Sequence, residues 1–240
     1  MEEKIKEFVE IVEASENVVF FGGAGVSTES GIPDFRSTDG IYNQKYKYPP
    51  ETILSHSFFL YQTEEFYRFY RDKMIHRDAK PSVTHMVLAE LERRGKLKAI
   101  ITQNIDGLHQ MAGSKNVIEL HGTVHKNNCM KCGQFYDLDY VMNSEEIPKC
   151  SCGGVIKPDV VLYEEGLKDQ NLSDAIRYVS QADVLIVGGT SLVVYPAAGL
   201  IDYYQGKKLI LVNKSATTYD CRANLLINDS LGKVFGALQK

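Results

Sequence analysis

The chain has 240 residues, of which 44% are hydrophobic and 24% are charged, and its net charge is −4 at pH 7. These values are ordinary for a globular protein with one full core, or with a core domain that carries a smaller insert. The acidic balance argues against direct binding to nucleic acid, and the lack of a long apolar stretch or a signal-peptide pattern predicts a cytoplasmic protein with no membrane contact.

The predicted elements alternate between helices and short apolar strands. An amphipathic helix is expected at 2–14, because apolar side chains recur there at helical spacing. Further helices are predicted at 63–75, 83–95, 171–181 and 234–240. Continuously apolar strands are predicted at 18–21, 98–104, 182–191 and 207–213. This alternation predicts an α/β fold with a Rossmann-like, doubly wound parallel sheet.

Four of the five cysteines form two close pairs, Cys129-x-x-Cys132 and Cys150-x-Cys152. Four thiolates form a closed tetrahedral set for one Zn²⁺, which is typical of a structural site, because a catalytic zinc keeps one position open. A disulfide remains the alternative, although reduced thiols are the rule in the cytoplasm. Cys221 is unpaired and is interpreted as a small, partly buried apolar residue.

The strand pattern is interrupted twice, which predicts a second, smaller domain. We expect the Rossmann-like core to consist of residues 1–37, 81–125 and 156–240. The inserted zinc-binding and helical domain would consist of a helical module at 38–80 and a zinc ribbon at 126–155.

Two glycine turns follow predicted strands, which is where a phosphate-binding turn belongs. Gly23-x-Gly25 follows the first strand and Gly188-Gly189 follows a later one, and glycine lets backbone N–H groups approach an anion closely. The third glycine of the dehydrogenase fingerprint is replaced by Thr28, and no acidic strand end follows about 20 residues later. These departures argue against a hydride-transfer enzyme. Two such turns favour a ligand with two ends, such as a dinucleotide, and plain strand-to-helix turns remain the alternative.

Polar side chains crowd the end of the strand at 98–104. The segment TQNIDGLH at 102–109 contains Gln103, Asn104, Asp106 and His109. Ligands of open α/β sheets bind at the carboxyl ends of the strands. His121, in ELHGT, is the candidate general base, since histidine titrates near neutral pH. A hydrogen-bonded loop histidine is the alternative for both His109 and His121.

Several motifs together resemble one family. They are GAGVSTESGIPDFR at 23–36, TQNIDGLH at 102–109, HG at 121–122, the two cysteine pairs, KPDVVLY at 157–163, GTSLVVYPAA at 189–198 and LILVN at 209–213. Their order is similar to that of the sirtuins, the NAD-dependent protein-lysine deacylases, from about Val18 to Phe235. The resemblance implies that NAD is consumed as a co-substrate.

The resemblance implies an NAD site built from several motifs. The phosphates and ribose would lie against Ala24, Gly25, Thr28, Phe35 and Arg36. The nicotinamide carboxamide, the ribose and a bound water would contact Asp34, Gln103, Asn104, Ile105 and Asp106. The adenosine side would contact Gly189, Thr190, Ser191 and Asn213, and adenine would meet the backbone near Leu231.

His121 would be the general base of the reaction that the resemblance implies. The acyl-lysine oxygen attacks the nicotinamide ribose carbon and expels nicotinamide. His121 then takes a proton from the ribose, so that its 2′-oxygen attacks the acyl carbon. Water completes the reaction, which gives free lysine and an O-acyl-ADP-ribose.

Two segments resemble the family strands that hold a substrate peptide by main-chain pairing. They are expected to be extended and comprise Val160, Val161, Leu162 and Tyr163, and Val193, Val194 and Tyr195. Prolines beside them, Pro158 and Pro196, are expected to be exposed, and Pro158 keeps its strand away from a central sheet position. The alternative is that both segments are ordinary buried strands.

The acyl group is expected to be uncharged, with acetyl first. Sirtuins that prefer succinyl or malonyl lysine resemble one another in a Tyr-x-x-Arg pair, which would give the carboxylate a bidentate partner. Here Tyr67 is followed three residues later by Tyr70, and Asp34 stands where those enzymes often have Thr. A register change of one residue would bring Arg71 into that position.

The sequence therefore predicts an NAD-dependent protein deacetylase that acts on an acetylated protein or peptide, contains one structural Zn²⁺ and is a monomer. Mono-ADP-ribosyl transfer is a second enzymatic interpretation, because it begins with the same NAD cleavage. A non-catalytic NAD sensor is a third interpretation, which the presence of His121, Asn104 and Asp106 disfavours.

Overall fold

The structure is a computed structural model that describes residues 1–37 and 40–239. Its strands in chain order are β1 Val18–Gly22, β2 Leu97–Thr102, β3 Val117–Glu119, β4 Gly122–Cys129, β5 Phe135–Tyr136, β6 Ile156–Val160, β7 Val184–Gly188, β8 Lys208–Val212 and β9 Leu225–Ile227. Its α-helices are α1 Glu2–Ala14, α2 Pro50–Ile53, α3 His56–Tyr61, α4 Thr63–Phe69, α5 Val83–Arg93, α6 Leu108–Met111, α7 Leu138–Asn143, α8 Asp169–Gln181 and α9 Leu231–Gly236. No helix among the described residues is long and apolar enough to cross a bilayer.

The larger sheet has six parallel strands in the order β3-β2-β1-β7-β8-β9. The strand order reverses between β1 and β7, which is the switch point where doubly wound sheets bind ligands. Gly22 at the end of β1 pairs with Thr102 on one side and with Gly188 on the other. Because the strands end level, the residues after β1, β2, β7 and β8 meet at one edge.

Helices cover both faces of this sheet, as the continuously apolar strands predict. On one face, Phe8 of α1 and Phe235 of α9 pack edge to face at 5.3 Å, and Phe20 of β1 meets Phe235 at 5.6 Å. On the other face, Ala175 and Val179 of α8 are fully buried against the sheet. Full burial of one large apolar side chain stabilises a fold by roughly 1.5–3 kcal/mol, so these contacts fix the sheet that carries the site.

The smaller sheet has three antiparallel strands in the order β5-β4-β6. A separate apolar cluster packs it against the helices of the 41–75 region, with Phe59, Phe66 and Tyr67 among its most buried members. Pro158 lies in β6, which is an edge strand as expected, but the proline is buried rather than exposed.

The predicted elements and the fold class are confirmed, but several elements have shifted ends. The helix predicted at 63–75 is α4 followed by a π-helix at Tyr70–Met74, and the strand predicted at 182–191 is Val184–Gly188. The last helix begins at Leu231, three residues before the predicted start, because Leu231 is buried one turn before Val234 and Phe235 and extends their apolar face. The division into a core and an inserted domain stays a prediction, and residues 38, 39 and 240 of that division lie outside the described residues.

Candidate active site

The two glycine turns meet at the carboxyl end of the larger sheet. Gly25 donates its backbone N–H to the carbonyl of Gly189 at 2.8 Å. A Cβ on Gly25 would lie 2.7 Å from the Cα of Gly189, and Gly189 has a φ of +62°, which other residues rarely adopt. Both positions require glycine because the turns after β1 and β7 pack backbone against backbone. The space beside them is the switch point of the sheet.

A hydrogen-bonded network joins the ends of three strands beside these turns. Gln103, after β2, donates its side-chain amide to Oγ1 of Thr190 at 3.0 Å. Thr190, after β7, donates its backbone N–H to Oδ1 of Asn213 at 3.0 Å. Asn213 is buried, and its Nδ2 has no hydrogen-bond partner within the described ranges. A buried donor without a partner is costly, so this amide is available to a bound molecule.

Asp106 is held by residues of two separate motifs. Its Oδ2 accepts from the hydroxyl of Ser27 at 2.6 Å, and its Oδ1 accepts from the backbone N–H of Leu108 at 2.9 Å. Asn104 donates its side-chain amide to the same Ser27 hydroxyl at 3.0 Å. The glycine turn and the strand-end cluster therefore form one connected polar wall.

His121 stands immediately before β4 with a defined tautomer. Its Nδ1 lies 3.0 Å from the carbonyl oxygen of Gln103, and because a carbonyl only accepts, Nδ1 carries the proton. Nε2 therefore keeps its lone pair, which is the form that a general base needs. Burial lowers the pKa of His121 from its usual value of 6.5, while the bond to the Gln103 carbonyl opposes that change. The imidazole is neutral near pH 7.

One cavity of about 820 Å³ brings the predicted site together. Every residue that the sequence assigns to NAD lines it, from Ala24 in the first turn to Leu231 at the start of α9. His121 lines it too, as do the predicted peptide-binding residues with one exception. The exception is Val193, which is 49% exposed and lies outside the cavity wall.

Residues 34–37, 41 and 42 line one side of the cavity. Asp34 does not lie free: its Oδ1 accepts from the backbone N–H groups of Arg36 and Ser37, at 3.0 and 2.7 Å. Its carbonyl accepts from Ile41 at 2.9 Å. The carboxylate of Asp34 thus orders the turn that carries Phe35 and Arg36.

The two predicted peptide segments differ in structure. Val160 ends β6, and the chain continues to Tyr163, whose backbone forms a parallel bridge with Ser55. Val161 donates its N–H to the carbonyl of His121 at 2.9 Å, which connects this segment to the candidate base. The expectation that 193–195 is extended is wrong at its end, because the chain bends at Val194 and enters a turn at Tyr195 and the exposed Pro196. Its role in holding a peptide stays a prediction.

The cavity wall includes one of the three residues Tyr67, Tyr70 and Arg71. Tyr70 is fully buried and lines the cavity. Tyr67 does not line it, and its hydroxyl donates to the carbonyl of Ile156. Arg71 also lies outside the cavity wall, where its Nε donates to the carbonyl of Val141 at 3.1 Å. Arg71 therefore does not line the cavity, and the preference for an uncharged acyl group stays a prediction.

Most of the motifs that line the cavity fall within the region that matches one family model. The model is described as the Sir2 family, and it matches residues 23–196. The chain belongs to the Sir2 family.

Sir2 relatives match along nearly the whole chain. An NAD-dependent protein deacetylase of Clostridium acetobutylicum is 64% identical over 236 residues, which cover 97% of this chain and 96% of that protein. One of Clostridium tetani, with the same description, is 62% identical over 237 residues, which cover 97% of this chain and 96% of that protein.

Solved Sir2 structures share the fold. One with a deacetylated p53 peptide and 3′-O-acetyl ADP ribose has a TM-score of 0.89 and 41% identity, and the match covers 98% of this chain and 96% of that one. Another, with a p53 peptide and NAD⁺, has a TM-score of 0.85 and 41% identity, and covers 97% and 95%. These values confirm the fold class that the sequence predicts.

The four paired cysteines of this Sir2 chain converge at one end of the smaller sheet. Their Sγ atoms all lie within 4.8 Å of one another. Cys129 lies 3.5 Å from Cys152, and Cys132 lies 3.5 Å from Cys150, sulfur to sulfur. A disulfide would require about 2.05 Å, whereas a tetrahedral zinc with Zn–S distances of about 2.3 Å spaces its sulfurs about 3.8 Å apart. The cluster fits a closed structural zinc site.

Sequence reasoning missed two residues of this Sir2 site. Ser27 is buried and bonds both Asn104 and Asp106, and its place inside the GAGVSTES motif could have indicated it. Tyr42 also lines the cavity. No local pattern marks Tyr42, because its hydrogen-bond partner, Tyr163, is 121 positions away in the sequence.

Proposed function

We infer that the chain is an NAD-dependent protein deacetylase, which cleaves NAD to nicotinamide and transfers the acetyl group of an acetylated protein or peptide to ADP-ribose. The observation that carries this proposal is the single cavity in which the polar strand ends, the glycine turns and a neutral His121 meet. The relatives described as NAD-dependent protein deacetylases, 62% and 64% identical, support it.

NAD would occupy the switch-point cavity with its nicotinamide near Asp106 and its adenosine near Asn213. Backbone N–H groups of the glycine turns suit the phosphates, and the unpartnered Nδ2 of Asn213 suits a ribose hydroxyl. The residues proposed for NAD are Ala24, Gly25, Thr28, Asp34, Phe35, Arg36, Gln103, Asn104, Ile105, Asp106, His121, Gly189, Thr190, Ser191, Asn213 and Leu231. The acyl-lysine peptide would lie along Val160–Tyr163 on one side and Val194–Tyr195 on the other.

His121 would act after nicotinamide has left. The acyl oxygen forms a bond to the ribose carbon as the bond to nicotinamide breaks. Nε2 of His121 then takes a ribose hydroxyl proton, and the 2′-oxygen attacks the acyl carbon. The lysine amine leaves with the proton that His121 holds, water adds to the acyl carbon, and the bond from that carbon to the 1′-oxygen breaks. The acyl group therefore remains on the 2′-oxygen of ADP-ribose. The Nδ1–H bond to Gln103 keeps Nε2 free for this proton throughout.

The test is a mixture of the protein, NAD and an acetyl-lysine peptide, followed by mass spectrometry. We expect nicotinamide, deacetylated peptide and O-acetyl-ADP-ribose to form in equal amounts. Nicotinamide release without deacetylated peptide would replace the proposal with ADP-ribosyl transfer. An inert protein that binds NAD would instead support a sensor.

We further propose one structural Zn²⁺ at Cys129, Cys132, Cys150 and Cys152, which would stabilise the small sheet and take no part in the reaction. The insert formed by 38–80 and 126–155 would be a domain that closes the cavity against the core. We also propose a monomer in the cytoplasm without direct nucleic-acid binding. The sulfurs, at 3.5 Å, are too far apart for disulfides, which suits a reducing compartment, and the net charge of −4 disfavours nucleic acid.

The pH profile of kcat/KM for the acetyl peptide should retain its plateau below pH 6.5. His121 must be neutral to act as a base. Because burial lowers its pKa, the pH must fall below the usual histidine range before the imidazole is protonated. The measurement is kcat/KM between pH 5 and 8 at saturating NAD. An acid limb centred above pH 6.5 would contradict the assignment.

Succinyl-lysine should be a poor substrate compared with butyryl-lysine, which has the same chain length without the charge. Lys73 and Arg77 line the cavity, but they already pair with Asp72 and Asp139. Arg71 lies outside the cavity wall. Burying an unpaired carboxylate should therefore lower kcat/KM by roughly 100-fold or more. Equal kcat/KM values for the two peptides would show that a cation is available.

A further inference from the structure

Glu164 directly follows the segment proposed to hold the peptide, and its main chain is free. The backbone N–H groups of Val161, Leu162 and Tyr163 all donate to other groups of the protein. By contrast, neither the N–H nor the carbonyl of Glu164 has a hydrogen-bond partner among the described residues. An extended peptide pairs with a protein through free main-chain groups of this kind. Glu164 therefore lies where a bound peptide can reach it.

The backbone of Glu164 is held in an unusual conformation. Its φ is +75°, in the left-handed region that residues other than glycine rarely adopt. Both neighbours are fixed: Tyr163 pairs with the segment 54–56, and Glu165 donates its N–H to the carbonyl of Leu162 at 3.0 Å. Such conformations persist only where the surrounding structure holds them, and they are frequent at binding sites. The position of Glu164 at the end of the groove is thus set by the fold.

The carboxylate of Glu164 is also fixed, and it keeps its charge. Its Oε2 accepts from the backbone N–H of Ser57 at 2.9 Å and from the hydroxyl of Ser57 at 2.7 Å. These bonds hold the pKa of Glu164 below its usual value. Its Oε1 has no hydrogen-bond partner in the described part of the chain, and the residue is exposed and lines the cavity. One carboxylate oxygen is therefore available to a bound peptide.

The charge of Glu164 is not balanced by the residues around it. The next acid, Glu165, forms an ion pair with Lys157 at 3.1 Å. Within the ranges that the structure describes, no lysine or arginine pairs with Glu164. The segments proposed for the peptide, Val160–Tyr163 and Val194–Tyr195, contain no charged side chain. Glu164 therefore presents an unpaired negative charge beside an otherwise uncharged groove.

We propose that Glu164 is a specificity-determining residue, which selects acetylated peptides that carry arginine or lysine close to the acetyl-lysine. A cation of the peptide pairs with Oε1 of Glu164, and an acidic side chain at the same place is repelled. The inference rests on the proposed function and names the class of its peptide substrate.

The test is kcat/KM for acetyl-lysine peptides that differ at one position, from two residues before the acetyl-lysine to two residues after it. Each position carries arginine, glutamine or glutamate in turn. At one position at least, the arginine peptide should exceed the glutamate peptide by roughly five-fold, because an exposed ion pair and the opposite repulsion each contribute little. The ratio should fall towards one at about 1 M salt, which screens exposed charges.

Two substitutions of Glu164 remove the charge in different ways. Glu164→Gln keeps an oxygen that can accept from Ser57, and Glu164→Gly suits a φ of +75° without strain. In both variants the arginine-to-glutamate ratio should fall to about one. Glu16→Gln is the matched control, because it makes the same change of charge at a side chain that is 78% exposed and lies outside the cavity wall. It should keep the full ratio.

Three results would overturn the role of Glu164: equal values for arginine and glutamate at every position, a preference for glutamate, or an unchanged ratio in either Glu164 variant. In each of these cases the peptides are still deacetylated, so the proposed function stands. If the unaltered protein deacetylates none of them, including the glutamine peptides, the proposed function fails together with this inference.

Discussion

Replacing His121 by alanine should lower kcat for deacetylation by a factor of about 10²–10⁴, which is what a positioned general base contributes. Nδ1–H is hydrogen-bonded to the Gln103 carbonyl, so Nε2 is the proton acceptor that the alanine variant lacks. Because the base would act after nicotinamide leaves, exchange of labelled nicotinamide into NAD should persist. Product formation and this exchange, measured in the same preparation, separate the two stages.

His121→Gln is the matched variant for this prediction. Glutamine can still donate a hydrogen bond to the Gln103 carbonyl, but it has no basic nitrogen. Both variants should therefore lose product formation. His121→Gln, which keeps the hydrogen bond to Gln103, should also keep nicotinamide exchange and the melting temperature. Deacetylation at an unaltered rate in His121→Gln would exclude His121 as the base.

Replacing Cys132 by serine should abolish activity through loss of structure. Cys132 is exposed, so the substitution itself disturbs little packing, but three thiolates hold zinc much less tightly than four. Structural zinc sites contribute roughly 10–16 kcal/mol of apparent binding free energy, which exceeds the stability of a typical domain. The cluster lies at the end of β4, and His121 immediately precedes that strand. Metal loss should therefore disorder the candidate base.

Metal content, circular dichroism and deacetylation together test this second prediction. Cys221→Ser is the control, because Cys221 is exposed and stands outside the cluster. It should retain one zinc per chain and full activity. A Cys132→Ser protein that contains no metal and still deacetylates at the normal rate would contradict a structural role.

Local patterns were sufficient for the main helices and strands of the core and for the metal cluster. The period of apolar residues predicts α1, and continuous apolar runs predict β1, β2, β7 and β8, because burial on both faces leaves no polar alternation. The cysteine spacing also indicates the metal cluster, since the two cysteines of each pair lie within one turn of the chain. Such features depend on neighbours in sequence, so they can be read without the fold.

Long-range packing decided the features that were predicted wrongly or missed. The burial of Pro158 depends on what covers the edge strand β6, and the departure of Val193 from the cavity depends on the turn that follows it. Neither is encoded in residue type.

The sequence by itself determined the α/β fold, the family motifs and a candidate base at His121, because these follow from periodicity and from short motifs. The tertiary structure alone decided which tautomer His121 has, through Gln103, and that Tyr42 meets Tyr163. The physical reason is that hydrogen bonds depend on distances of tenths of an ångström, and between residues remote in sequence only the packing of two sheets and their helices sets those distances.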